Sequence, residues 1–303
     1  MLIGFAVPMS GSWATPANQV RIAQRAEELG YHSLWTLQRL LNPADSTDMT
    51  YRNVPDPLIT LSYLAAHTSR VRLGVAVLNM PFFPPPLLAK QAVSLDHVSG
   101  GRLDLGLGLG WMREEFTAVG VPYERRGARA EEFLAVLEEL WTSEVPEFHG
   151  EFYELPPVRF DPKPLQKPRP PILLGGTSEP ALRRAGRLSD GWISSSRADL
   201  HRIGQSIEIV REAARAAGRD PGALRFVCRG VVRVRPQAGP DRRPLTGTLE
   251  EIRSDFGALE AQGVTELFVD LNFDPEIGHP DADPGESMRR AEDALVALAP
   301  ERS

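Results

Sequence analysis

With 303 residues, 42% hydrophobic and 24% charged, the chain has an ordinary globular composition, which excludes a disordered or fibrous class. A formal net charge of −6 argues against broad affinity for nucleic acid or anionic lipid, and no run of about 18 apolar residues reads as a membrane span. The opening MLIGFAVPMSGSW has no basic export signal and Cys228 is the single cysteine, so the reducing cytoplasm is the expected compartment and a small molecule the expected partner.

Short apolar runs alternate with segments of helical spacing, and the alternation repeats eight times. Leu2 to Val7 is the first predicted strand, followed by the loop PMSGSWATP and a helix whose Val20, Ala23, Ala26 and Leu29 share a face before the stop at Gly30. Ser33 to Leu37 is the second strand. A helix over Pro57 to His67 precedes the third, VRLGVAV, and a proline-started, glycine-stopped helix in PPPLLAKQAVSLDHVSGG precedes the fourth, RLDLGLG. From Arg129 to Trp141, the residues Phe133, Val136, Leu137, Leu140 and Trp141 form one wide helical stripe.

Residues 143 to 170 break this rhythm, being rich in proline and aromatics without helical period, and read as an insertion between units four and five. Pro171 to Leu174, Gly191 to Ser194, Leu224 to Val234 and Leu267 to Leu271 are strands five to eight. The helices between them carry Ile203, Ile207, Val210 and Ala214 in one case and Leu249, Ile252, Phe256 and Leu259 in another. Eight β-then-α units predict an α/β fold, a (β/α)8 TIM barrel forming a single domain over 1–303; a doubly wound sheet is the alternative. Alternation with Leu224 and Phe226 places Cys228 inside a strand rather than in catalysis.

In a barrel the reactive groups sit at strand exits. Gly106, Gly108 and Gly110 leave strand four, where missing side chains relieve crowding or let a planar cofactor approach. Gly175, Gly176, Thr177 and Ser178 leave strand five; a glycine pair followed by hydroxyls at a helix start is a candidate anion site, and an ordinary capped turn is the plain reading. Asp45, Asp48 and Asp56 have no histidine at ligand spacing and read as solvated loop, so no metal is expected. Trp13, Trp111 and Trp192 could line an apolar cleft or serve as packing.

Three exit segments, LGVAVLNMPFFPPP, GLGLGWMREEF and LLGGTSEPALRRAGRLSDGWI, together resemble the luciferase-like monooxygenase superfamily. The pairing of GWMREEFTAVGVPYERRGARAEEF with the third segment is similar to its actinobacterial branches that use the deazaflavin F420. The resemblance implies a barrel holding F420, or alternatively FMN, in a homodimer. It implies a non-prolyl cis bond from Ala76 to Val77 behind the ring, Asn79 at the ring edge, Gly108, Gly110 and Trp111 beside it, and the phosphate at Gly175 to Ser178. Arg183 and Arg184 would meet the anionic tail of F420.

Where relatives carry an acidic residue and a histidine, this chain has Gln38 and Arg39. Oxidation of an alcohol needs a base, so reduction is expected, with Arg39 either stabilising negative charge on the substrate or serving a salt bridge. An FMN-dependent monooxygenase using oxygen, a flavin-binding protein without turnover and a purely structural barrel are the alternatives.

Overall fold

The computed structural model describes residues 1–237, 239 and 242–301. Its centre is a closed barrel of eight parallel strands: β1 (Leu2–Ala6), β2 (Ser33–Thr36), β3 (Arg72–Asn79), β4 (Leu103–Gly108), β5 (Ile172–Gly175), β6 (Gly191–Ile193), β7 (Arg225–Val231) and β8 (Glu266–Asp270). Around it lie α1 (Pro16–Leu29), α2 (Pro57–Ala65), α3 (Pro85–Ser99), α4 (Arg113–Val119), α5 (Arg126–Thr142), α6 (Glu179–Leu188), α7 (Ile203–Ala216), α8 (Leu249–Ala261) and α9 (Pro284–Ala297). The order is that of a (β/α)8 barrel, closed where β1 pairs with β8 from Leu2↔Glu266 to Phe5↔Val269.

One sequence expectation needs correction in its bounds. The seventh strand does not run to Val234: β7 leaves the barrel after Val231, and Arg233–Val234 pairs in parallel with Thr246–Gly247 in a separate two-stranded sheet. Past β4, the exit segment GWMREEF enters a helix, with Arg113 to Val119 forming α4. Its few apolar residues and single buried turn give too short a period to read from spacing.

Residues 143 to 170 hold a small antiparallel pair, Phe148–His149 with Glu154–Leu155, outside the barrel. The stretch is stitched back by polar contacts. Buried Asp96, on α3, accepts from the backbone of Leu165 (2.7 Å) and Gln166 (3.1 Å), and the Gln166 amide donates to Asp96 and to Leu103 O (each 2.8 Å).

Successive side chains along a strand point to opposite faces, so each strand sends every second residue inward. At the N-terminal ends, Asp104 is fully buried and accepts from both Arg72 and Arg225, each with a contact of 2.7 Å. Arg225 also donates to Glu266 (2.7 Å), whose other oxygen takes the Ser33 hydroxyl. Above this ionic floor lies an apolar tier of Ala6, Trp35, Ala76, Leu173, Ile193, Val227 and Phe268. Trp35 stacks on Phe268 with centroids 5.1 Å apart, while its Nε1 reaches down to Ser33 Oγ at 2.8 Å. A filled barrel leaves only the C-terminal mouth for chemistry.

Candidate active site

The mouth is built around a bulge in β3. Val75 pairs with Leu105 and Leu78 with Leu107, so Ala76 and Val77 together oppose Gly106. The Ala76–Val77 peptide bond is cis. The Val77 side chain lies between two exits that carry no side chain of their own. A Cβ on Gly108 would come within 2.6 Å of Val77 Cγ2, and one on Gly175 within 3.2 Å of Cγ1. Those two glycines make room for the Val77 side chain between the β4 and β5 exits.

Gln38 leaves β2 on the same side and is 7% exposed. The Asn79 N–H donates to Gln38 Oε1 at 2.8 Å, which fixes the carboxamide. Its Nε2 is buried and has no acceptor among the described residues. An unmade hydrogen bond of that kind costs about 1–3 kcal/mol, so the donor has reason to meet a ligand.

Arg39, 9% exposed, is held differently. Its guanidinium donates to Glu115 at 3.0 Å, with Met112 Sδ at 3.6 Å. Tyr51 lies 4.1 Å and Trp111 4.8 Å from the guanidinium carbon, measured to the ring centroids. Glu115 is fully buried and also accepts from the Leu40 N–H at 2.9 Å, so α4 and the β2 exit are locked together. Of the two readings left open for Arg39, this favours the salt bridge. Glu115 was not legible beforehand, since its partner is 76 residues away in sequence.

At the β5 exit Gly176 has φ +144°, and a Cβ there would sit 2.5 Å from Ala181 Cβ. Trp192 Nε1 donates to Gly176 O at 2.9 Å and steadies the turn. Ser178 is the N-cap of α6, yet its hydroxyl makes no capping bond; Thr177 and Ser178 are exposed. Arg183 pairs with Glu179 (2.7 Å) and Arg184 with Glu131 (3.3 Å), so both already have carboxylate partners. Of the three tryptophans considered for a cleft, Trp13 and Trp192 are buried, and Trp111 is 54% exposed.

Sequence reasoning missed Arg229 and Asp270. Arg229 Nη2 donates to Ala76 O at 2.8 Å, and its carbon sits 5.4 Å from the Phe268 ring and 5.3 Å from that of Phe273. Its Nε lies 3.1 Å from Asp270 Oδ2 without hydrogen-bond alignment, so both atoms keep unused capacity. Strand alternation could have found them. Arg225, Val227 and Arg229 share one face of β7, as Glu266, Phe268 and Asp270 share one face of β8.

Among the described residues, no histidine ring hydrogen-bonds Gln38 or Asn79. His32 lies by the floor, where burial is the main cause lowering its pKa, and Glu266 and Asp104 oppose the shift. His97 bonds Lys163 O, His149 lies between Glu147 and Glu154, and His279 bonds the Asp281 N–H. Cys228 is fully buried and its thiol is pushed up to about 12 by desolvation, which makes it unreactive at neutral pH. Asp48 and Asp56 cap short helical turns by accepting from Thr50 and Ile59. No helix among the described residues is long and apolar enough to cross a membrane.

A closed (β/α)8 barrel with buried, unpaired polar atoms at its strand exits is the class these features define. Residues 2–265 match the family model described as luciferase-like monooxygenase, and the chain belongs to that family. An uncharacterised protein of Mycobacterium tuberculosis is 32% identical over 285 residues, covering 88% of each chain. An FMNH2-dependent dimethylsulfone monooxygenase of Pseudomonas putida is 34% identical over 212 residues, 68% of this chain and 56% of that protein. Among solved structures, monooxygenase RslO1 of Streptomyces bottropensis superposes with TM-score 0.80 at 23% identity, covering 99% and 98% of the two chains. An F420-dependent secondary alcohol dehydrogenase superposes with TM-score 0.81 at 16% identity, covering 98% of each. At those identities the superpositions speak for the fold alone.

Proposed function

We propose that this chain is an F420-dependent oxidoreductase that transfers hydride between the deazaflavin and a small organic substrate, acting as a reductase without an essential histidine. The observation that carries this reading is the Gln38 carboxamide, whose Oε1 is occupied by Asn79 N–H while its buried Nε2 has no protein acceptor. A carboxamide does not titrate, so it donates at any working pH but cannot take a hydroxyl proton from an alcohol. It cannot deliver a proton either, so in the proposed direction of reduction the proton comes from water.

The roles follow from the positions. Ala76 and Val77 back the ring, with Gly108 and Gly110 giving close approach and Asn79 at the ring edge. Gly175, Gly176, Thr177 and Ser178 receive the phosphate, with exposed hydroxyls and the start of α6. Glu179 at the first helical position works against an anion there, and its pairing with Arg183 offsets that charge. Arg39 acts through Glu115 to hold Trp111 and Tyr51 in place, as a positioning residue. When bound, F420 in its reduced form would supply the hydride and be left oxidised, with the balancing proton taken from water. The reading includes one domain over 1–303 and a cytoplasmic homodimer, the latter checked by light scattering on the eluting peak.

The FMN-dependent monooxygenase reading is favoured by the 34% identity to the Pseudomonas putida protein. Titration with F420 and FMN at one ionic strength separates the two, followed by stopped-flow reoxidation of the tighter reduced ligand with and without oxygen. F420 binding with oxygen-insensitive turnover is expected. Tight FMN binding, fast oxygen-dependent reoxidation and no F420 binding would replace this reading by the second.

A further inference from the structure

Loops leaving β2, β4, β6 and β8 converge on one side of the mouth around an exposed indole. Tyr51 and Phe273 meet edge to face at 5.9 Å, and Tyr51 approaches Trp111 at 6.5 Å. Arg39 lies against Trp111 from the buried side, while Trp111 remains 54% exposed. A lone exposed tryptophan is unremarkable on a protein surface. This one is flanked by Tyr51, Arg39 and Arg197 and stands beside the proposed ring site, next to Gly110.

The second observation is electrostatic. Arg39 is neutralised by Glu115, Arg229 by Asp270 and Arg235 by Asp274. Arg197, on the loop after β6, lies 5.7 Å from the Trp111 ring, yet its guanidinium has neither a carboxylate nor a hydrogen-bond acceptor among the described residues. In a chain of net charge −6, a spare cation beside an aromatic surface selects for a ligand with matching parts.

We propose that the substrate of this mouth is a flat aromatic molecule bearing an acidic group, with its ring against Trp111 and its anion on Arg197. The proposal rests on the reading of the mouth as a cofactor-dependent active site, and it names the substrate class for that site. Stacking on an indole requires a planar apolar body, and a guanidinium favours a carboxylate over a neutral hydroxyl.

The test uses 2-naphthoate, 2-naphthalenemethanol and hexanoate as probes, titrated by calorimetry and tryptophan quenching against the whole protein, with and without F420 or FMN. Naphthoate is expected to bind about tenfold tighter than either other probe. Arg197→Gln should bring naphthoate to the level of the alcohol and leave the alcohol unchanged; Trp111→Leu should weaken both naphthyl probes. Both side chains are exposed, and unchanged melting temperatures show that the variants fold. Equal binding of naphthoate and the alcohol, or displacement of naphthoate by the cofactor, would overturn the proposal. So would an Arg197→Gln variant that weakens FMN relative to riboflavin, since Arg197 would then serve the cofactor's phosphate. Cofactor binding with no naphthoate preference rejects the substrate class alone, whereas failure of both cofactors to bind rejects the function reading.

Discussion

The two ends of the barrel are made from the same strands and treat polar groups in opposite ways. At the floor, all four oxygens of Asp104 and Glu266 are engaged, by Arg72, Arg225, Ser33 and Trp35. At the mouth, Gln38 Nε2, Arg39 Nε, Asn42 Oδ1, Arg229 Nε and Asp270 Oδ2 are buried without hydrogen-bond partners among the described residues. A satisfied buried network holds a fold in one arrangement, whereas an unsatisfied one carries a cost that a ligand can remove. The difference places the satisfied network at one end and the proposed binding site at the other.

The largest effect should come from the floor. Asp104→Ala leaves two guanidiniums without their shared carboxylate and should cost about 3–5 kcal/mol, read by urea denaturation. Cofactor affinity of the folded fraction should not change; a large affinity loss would erase the division between the ends. Gly176→Ala sharpens it at the boundary. With φ at +144° and Ala181 Cβ 2.5 Å away, the added methyl should cost about 1–3 kcal/mol of stability as well as cofactor affinity. An effect on affinity with unchanged stability would mean that the turn relaxes.

Gln38→Leu should weaken cofactor binding by about tenfold and lower stability by only about 1 kcal/mol, through the lost acceptor for Asn79 N–H. Unchanged affinity would remove Gln38 from the site. The smallest effects are in pH. Burial alone would raise the Asp104 pKa, but Arg72 and Arg225 hold it below its ordinary 3.8. Its folded pKa is therefore depressed, and its stabilising contribution is present above about pH 4 and lost as acid brings the pH down through the folded value. His32 is likewise depressed from 6.5, chiefly by burial, so the unfolded chain takes up its proton first and stability begins to fall below about pH 6.5. Denaturation midpoints of His32→Gln between pH 7 and 5 should fall less steeply than those of the parent.

Much of the barrel was legible because every strand is short, apolar and followed by helical spacing, as in Leu103–Gly108 after the glycine-stopped α3. At the mouth the residues themselves marked only the missing side chains at Gly108, Gly175 and Gly176, while the family resemblance supplied the cis bond from Ala76 to Val77 that the structure contains. The Arg39–Glu115 lock was hidden, because α4 has too few residues to show a period and its partner lies on a distant loop. The function of Gln166 was hidden as well, since nothing in a proline-rich stretch announces that one amide will reach Asp96 and Leu103.

The seam between first and last strands sets the order in which the molecule can be completed. Asn272, just past β8, accepts from the backbone of Met9 (2.7 Å) and Ser10 (3.1 Å) and donates to Val7 O (3.0 Å). These contacts join residues more than 260 positions apart. At ribosomal speeds the interval between their synthesis is on the order of tens of seconds, during which β1 has one unpaired edge. The ring cannot close before Glu266–Asp270 has been made, so the pairing of β1 with β8 is a late event in synthesis.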